Sequence, residues 1–435
     1  MRWLVFPLLV LVSAGLAYGL WPRGTAPADG GFDVAGLIAA LGDDWADAAT
    51  GGSLPDAPLV FPADYGAHSD APAEVWDLSA ILTARDVRIA AVRLTLARLA
   101  LAAPSSNVVS AAAPQVRDPS RVGAASDNGD ATAALHEVTT AATRSSAFAA
   151  DALFAGQLLL DTSGGDAGLR ATGVSRGALG LAGAESDAAG RERVWLEHWE
   201  LVRDGKQLVR VEASADAVAL SLALVPTKVP VPFDATLGAA SDSDGFALNG
   251  YSEPRLQVSG TLEVAGQARE VSGAAWLEHG WGSLAAALSG GSGQLVASRF
   301  RLQLNDGVDL TCLHLRRRGG GGTPIPSCAL IGPDGDSVAF GRRDLSLTPS
   351  DDRWVSALGG RYPLRWHLAI PRRGLELEIA PLLDEPSQSL RALAFDRAGP
   401  TWSGAVEVTG TRGSDTISGV GFMDLTGYGG AVAGT

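Results

Sequence analysis

From Pro58 onward the chain is a succession of short segments in which apolar and polar residues alternate, separated by Gly, Asp and Pro. Residues 92–96 (V-R-L-T-L), 208–212 (L-V-R-V-E), 256–262 (L-Q-V-S-G-T-L) and 375–379 (L-E-L-E-I) keep a period of two. Each therefore shows one face to a core and the other to water or a lumen. The spacing predicts many short strands and few helices, with residues 146–160 the best helical candidate in the body of the chain. About 370 residues of such patterning exceed one ordinary barrel, so the fold class is all-β with two antiparallel barrels in tandem. The break is expected near the glycine cluster at 289–293, giving an N-terminal domain over 58–285 and a C-terminal domain over 286–435. Residues 104–147, rich in Ala and Ser, read as a flexible insertion in the first.

The start of the chain differs. Residues 3–21 form an uncharged apolar run between Arg2 and Arg23, with small residues at Ala14, Gly15, Ala17 and Gly19. The pattern is that of an export signal, or of a membrane anchor if no peptidase cuts it. Residues 1–25 are thus a signal peptide or anchor, and the Gly-, Ala- and Asp-rich 26–57 a linker. The expected location is the periplasm or cell envelope, with the membrane touched only through the N-terminal segment if it stays uncleaved.

The charge of 34 basic against 48 acidic residues, 34 − 48 = −14, excludes a nucleic-acid binder, since nothing here neutralises a row of phosphates. Cys312 and Cys328 flank an Arg- and Gly-rich loop. In an oxidising compartment they are expected to bridge, which is worth about 3 kcal/mol in the chain-entropy model; the alternative is two unlinked small hydrophobes. No Rossmann fingerprint or P-loop is present, and no cofactor is expected.

Residues 173–177 (G-V-S-R-G) match the nucleophile-elbow pattern, but no buried strand and helix surround them, so a Gly-rich turn is the better reading. More informative is an echo between 195–199 (W-L-E-H-W) and 276–281 (W-L-E-H-G-W). On a strand His279 and Trp281 share one face while Trp276 and Glu278 share the other. Whichever face points inward sets an ionisable group beside an indole, where desolvation displaces its pKa. Each His neighbours its Glu across the strand and no H-E-x-x-H spacing exists, so no metal site is expected.

These landmarks resemble, in order, the AttH-like and carotenoid 1,2-hydratase family of tandem lipocalin-like proteins. Residues 59–68 (L-V-F-P-A-D-Y-G-A-H) look like the family's F-P-x-D-x-G-x-H, and 74–77 (E-V-W-D) stand where E-W-W-Y is usual. Residues 175–184, 251–256 (Y-S-E-P-R-L), 276–281, 362–366, 402–406 and 421–428 are similar to later family motifs, so the resemblance runs from about 59 to 428. It implies two lipocalin-like barrels, export, a lipophilic small-molecule ligand and, in some members, association with ABC transporter subunits. In the carotenoid branch it implies addition of water to a terminal double bond, with His279 and Trp281 at the active site. Departures from the hydratase pattern at Val75, Asp77 and 310–315 leave Glu278 or Asp77 to act as the acid.

Two functions are therefore expected. One is an exported protein binding a hydrophobic small molecule, accessory to an ABC export system, with Trp281, Trp276, Trp76, Glu74, Asp77 and Tyr251 lining the ligand. The other is a cofactor-independent hydratase with Glu278 as acid and His279 orienting water. Protonating an alkene carbon needs a neutral acid in an apolar pocket and aromatic faces near the cation.

Overall fold

The computed structural model describes residues 58–101, 150–163, 168–187, 191–205, 208–233, 248–282, 295–318, 323–357, 359–383, 390–391 and 401–429. The expected signal or anchor, linker, insertion and 289–293 glycine cluster lie outside them. No helix of the described residues is long and apolar enough to cross a membrane.

Twelve strands form the first sheet: β1 (Ala73–Ala84), β2 (Val87–Ala100), β3 (Ala152–Thr162), β4 (Leu169–Arg176), β5 (Ala182–Ser186), β6 (Arg191–Leu196), β7 (Trp199–Asp204), β8 (Leu208–Ala215), β9 (Val218–Pro226), β10 (Val231–Pro232), β11 (Leu248–Val264) and β12 (Gln267–Gly282). Their order is β4-β3-β2-β1-β12-β11-β9-β8-β7-β6-β5, with β10 added to β11. The chain continues as β13 (Leu295–Leu304), β14 (Asp309–Arg317), β15 (Ile325–Ile331), β16 (Ser337–Phe340), β17 (Ser346–Pro349), β18 (Trp354–Val355), β19 (Arg361–Tyr362), β20 (Trp366–Ile370), β21 (Leu375–Pro381), β22 (Leu390–Arg391), β23 (Thr401–Arg412) and β24 (Asp415–Thr426). The second sheet runs β16-β15-β14-β13-β24-β23-β21-β20-β17, with β22 on β23, while β18 pairs with β19 alone.

Both large sheets follow one plan. The first strand pairs with the last, β1 with β12 and β13 with β24, and the opening falls between consecutive strands, β4 and β5 or β16 and β17. Each sheet curls into an antiparallel, lipocalin-like barrel. In the first, β3 and β6 approach so closely across the interior that a Cβ on Gly156 would lie 2.9 Å from Leu196 and Trp199. The duplication extends to bends: a Cβ on Gly260 of β11 would meet the Ser221 carbonyl at 2.1 Å, and one on Gly410 of β23 the Glu376 carbonyl at 2.0 Å.

Strand chemistry follows the period of two. On β8, Val209, Val211 and Ala213 are buried while Arg210, Glu212 and Ser214 are exposed, as a one-sided strand requires. On β1 and on residues 275–282 of β12 burial is nearly continuous, because one face fills the barrel and the other meets the second barrel. Leucines and valines, Leu78, Leu82, Leu94 and Leu222 among them, occupy the first interior. The second holds Phe300, Trp366, Trp402 and the disulfide between Cys312 and Cys328, which face each other across β14 and β15.

Two local expectations are corrected. Residues 152–162 form strand β3 rather than helix, since each side chain pairs in register with β2 and Phe154, Leu158 and Leu160 pack in the barrel. Residues 195–199 are not a strand like 276–281: Glu197 and His198 form the tight turn between β6 and β7, with φ +54° at Glu197. The 173–177 motif ends β4 on an antiparallel pairing with β3, without the strand-to-helix turn a nucleophile elbow requires.

The barrels meet through an apolar patch, Ile81 and Ala91 against Ala405 and Phe422, and through buried charges. Asp77 and Glu278 of the first barrel and Asp424 of the second face Arg93, Arg299 and Arg301. Arg301, fully buried, donates to Asp77 at 3.1 Å, Glu278 at 3.2 Å and Asp424 at 2.7 Å. The plan is duplicated here too: Ser252 donates to Glu278 at 3.0 Å, and Ser403, at the matching place in the second barrel, donates to Asp424.

Candidate active site

The alternation along β12 separates the residues that the sequence placed side by side. His279 and Trp281 point into the end of the first barrel, whereas Trp276 and Glu278 point outward to the second. Trp276 packs on Val231 and Ile331, and Glu278 and Asp77 belong to the interdomain ion network. The cavity among Ser79, Trp276, Arg301 and Gln303 is about 10 Å³, room for about one water molecule. Of the expected site residues, the structure therefore gathers Glu74, Trp76, Tyr251, His279 and Trp281, and sets Asp77, Trp276 and Glu278 apart.

β1 supplies Glu74 and Trp76, paired in register with Trp281 and His279 of β12, and Tyr251 of β11 lies opposite His279. Residues 58–72 then cross the barrel end. Their Phe61 and Tyr65 pack edge-on against Tyr251, and His68 stacks on Trp281 with ring centroids 3.4 Å apart. The result is a polar cluster sealed by aromatic rings.

Glu74 is its centre. Its Oε1 accepts the His68 backbone N–H at 2.8 Å and lies 2.9 Å from His279 Nε2 and 3.2 Å from His68 Nδ1. Its Oε2 accepts from Arg98 Nε at 3.1 Å, and Arg98 also ties down the His68 and Ala71 carbonyls. Burial works against the charge of Glu74, yet the hydrogen bonds from both histidines and the charges of His279 and Arg98 hold its carboxyl down to about 2. His68 reaches back to Asp64 at 3.2 Å; burial opposes its protonation, but Glu74 and Asp64 prevail and raise its pKa. The second nitrogen of His279, Nδ1, lies 3.3 Å from the Tyr251 hydroxyl, whose own pKa burial pushes far up.

Beside this anionic carboxylate stands a second acid of opposite character. Glu192 on β6 is buried, and that burial raises its pKa despite His279, Arg203 and a 2.9 Å hydrogen bond donated by the Trp76 indole. Trp76 in turn stacks on His279 at 4.8 Å. Arg203, fully buried, donates to Glu253, covers the Tyr65 ring at 4.2 Å, sets its Nε 3.8 Å from Glu192 and leaves Nε and one terminal nitrogen without a hydrogen bond. Two carboxyls whose pKa values are pushed in opposite directions within one enclosure are the usual basis for dividing acid and base roles. Clefts of about 780 and 260 Å³ lie instead around Thr83, Arg269 and Ile89, at the far ends of the same strands, and one of about 440 Å³ lies beside Trp354 and Arg365 in the second half of the chain.

Sequence reasoning missed Glu192, Arg98 and Arg203 and quoted Asp64 and His68 only within a motif. Glu192 carried a signal, since it alternates with the inward Val194 and Leu196. The flanking Arg191 and Arg193 disguise the segment as a solvated charge run.

Fold and cluster together define a tandem lipocalin-like protein with a buried acid–base site at one end of its first barrel. The chain belongs to the AttH-like family, whose model matches residues 132–428. Among solved structures, an AttH-type protein from Nitrosomonas europaea is 23% identical, with 87% of this chain and 99% of that one covered and a TM-score of 0.63. Kievitone hydratase from Nectria haematococca is 14% identical, with 85% and 93% covered and a TM-score of 0.51. At these identities the likeness is one of fold. No curated protein matches the chain.

Proposed function

We propose that the chain is an enzyme that moves protons on a lipophilic unsaturated molecule, adding water to a double bond or removing it. The observation that carries this reading is the pairing of a buried acid with raised pKa, Glu192, and an anionic Glu74 across the Trp76–His279 stack. Glu192 gives its proton to an alkene carbon, and the Trp76 and Trp281 faces stabilise the carbocation. A water bonds to the cation and returns its extra proton to the Glu192 carboxylate, while His279, both of whose nitrogens are engaged by Glu74 and Tyr251, holds the Trp76 face in place. One alkene and one water give one alcohol, and the enzyme returns to its starting state. The substrate enters past Asp64 and His68, whose side chains are the part of the cluster that reaches solvent. The fold shared with a hydratase is consistent with this chemistry.

The second reading is the exported carrier, supplying a hydrophobic ligand to or from a membrane transporter. The Cys312–Cys328 disulfide favours the compartment it requires, because such bonds persist where the surroundings oxidise. One substitution separates the two. With lipophilic alkenes in ¹⁸O-water followed by mass spectrometry, Glu192→Gln keeps an acceptor for Trp76 but cannot donate the proton, so turnover should fall by about 10²-fold or more while affinity stays within a few-fold. Label incorporation at the wild-type rate in Glu192→Gln overturns the acid assignment, and tight binding without incorporation by either form favours the carrier.

A further inference from the structure

We infer that His68, Glu74 and His279 form a binding site for one divalent transition-metal ion of the zinc class. Their ligand atoms, two imidazole nitrogens and a carboxylate oxygen, all lie within 4.8 Å of one another. Two ligands at about 2.0–2.1 Å from a common ion are about 2.9 Å apart at a right angle and about 3.3 Å apart at the tetrahedral angle. The distances from Glu74 Oε1 to His279 Nε2 and His68 Nδ1, 2.9 and 3.2 Å, fall in that interval. No local spacing announces the set, because the three residues come from the segment before β1, from β1 and from β12.

The surroundings of the triad have the form that orients metal ligands. Ligating imidazoles hold their far nitrogen against a carboxylate or another polar group, and ligating carboxylates are themselves hydrogen-bonded. Here His68 Nε2 faces Asp64, His279 Nδ1 faces the Tyr251 hydroxyl, and the second Glu74 oxygen accepts from Arg98. Both nitrogens of His68 thus face carboxylate oxygens, Asp64 on one side and Glu74 on the other, at 3.2 Å each. Stacking fixes the rings, His68 on Trp281 and His279 on Trp76.

The inference deepens the proposed hydration, resting on it only for the use of the site: a bound ion would hold and acidify the attacking water. Binding itself is measured without substrate, so failure of one reading leaves the other standing. The untagged full-length chain, freed of metal with a chelator, is titrated with Zn²⁺ by calorimetry and with Co²⁺ by visible absorption. One ion per chain with sub-micromolar affinity is expected. Each of His279→Gln and His68→Gln should weaken binding at least 100-fold, and Asp64→Asn, a positioning residue, about 10-fold. His198→Gln, at an exposed position, and His367→Gln, half-buried on β20, should leave binding unchanged. Circular dichroism checks folding, and His68→Gln, at the half-buried edge, serves if His279→Gln does not fold. Absence of stoichiometric binding, or binding indifferent to both substitutions in the triad, overturns the proposal.

Discussion

Replacing Arg301 with leucine should uncouple the two barrels. The Arg301 guanidinium is fully buried and donates to three carboxylates, two from the first barrel and one from the second. Without it, Asp77, Glu278 and Asp424 face one another with only Arg93 and Arg299 left of the three guanidiniums in the network. At an effective dielectric of about 20, two like charges 4 Å apart repel by about 4 kcal/mol, and removing one member of a buried ion set costs about 3–5 kcal/mol. Leucine fills part of the volume but supplies none of the donors, so a loss of about 3 kcal/mol or more is expected. Urea unfolding followed by tryptophan fluorescence and scanning calorimetry reads it, as a lower midpoint for whichever barrel unfolds first and a wider separation between the two transitions. In a Glu278→Gln background the same substitution should cost about 1–3 kcal/mol less, because one stranded charge has gone. A loss under about 1 kcal/mol, or an equal loss in both backgrounds, would refute the view that the network joins the barrels.

Two further predictions concern the second barrel. The Cys312→Ser, Cys328→Ser double variant opens a sequence separation of 16 residues and should lower stability by about 3 kcal/mol, seen as a urea midpoint that no longer responds to reductant; an unchanged midpoint would contradict it. Burial first, and Arg316 second, press the His314 pKa from 6.5 to about 4, so the native state holds the ring neutral. Its stabilising effect is complete above pH 6.5 and drains as pH falls from 6.5 toward 4, by up to about 3 kcal/mol. His314→Leu should flatten that part of the stability–pH profile, and an undiminished slope would show that other groups cause it.

The all-β class was legible because one-sided strands such as β8 and β21 write their burial directly into the sequence. The inward pairing of His279 with Trp281 was legible for the same reason, as an either–or choice of face. What alternation could not show is that both faces of β1 and of residues 275–282 in β12 are buried, which places Glu278 and Asp77 in the interdomain ion network. The cluster around Glu74 was hidden by distance along the chain: His279 lies 205 positions from Glu74, and only the β1–β12 ladder brings them together. Residues 146–160 looked helical from their alanines, yet register with β2 and a place in the barrel outweighed that weak preference.

The clasp of first strand to last also sets an order of events during synthesis. The meander from β5 to β9 joins near neighbours and can assemble as soon as it emerges, whereas β1 must wait for β12, with Trp76 and its partner His279 separated by 279 − 76 = 203 positions. Closing so large a loop is the slow, entropically costly step. Until it occurs, one side of β1 is an open apolar edge, the kind of surface on which nascent chains aggregate. The β1–β2 hairpin is therefore the part of the molecule with most need of a chaperone, and the chemical cluster, with Glu74 and Trp76 on one closing strand and His279 and Trp281 on the other, comes into being only when that wait ends.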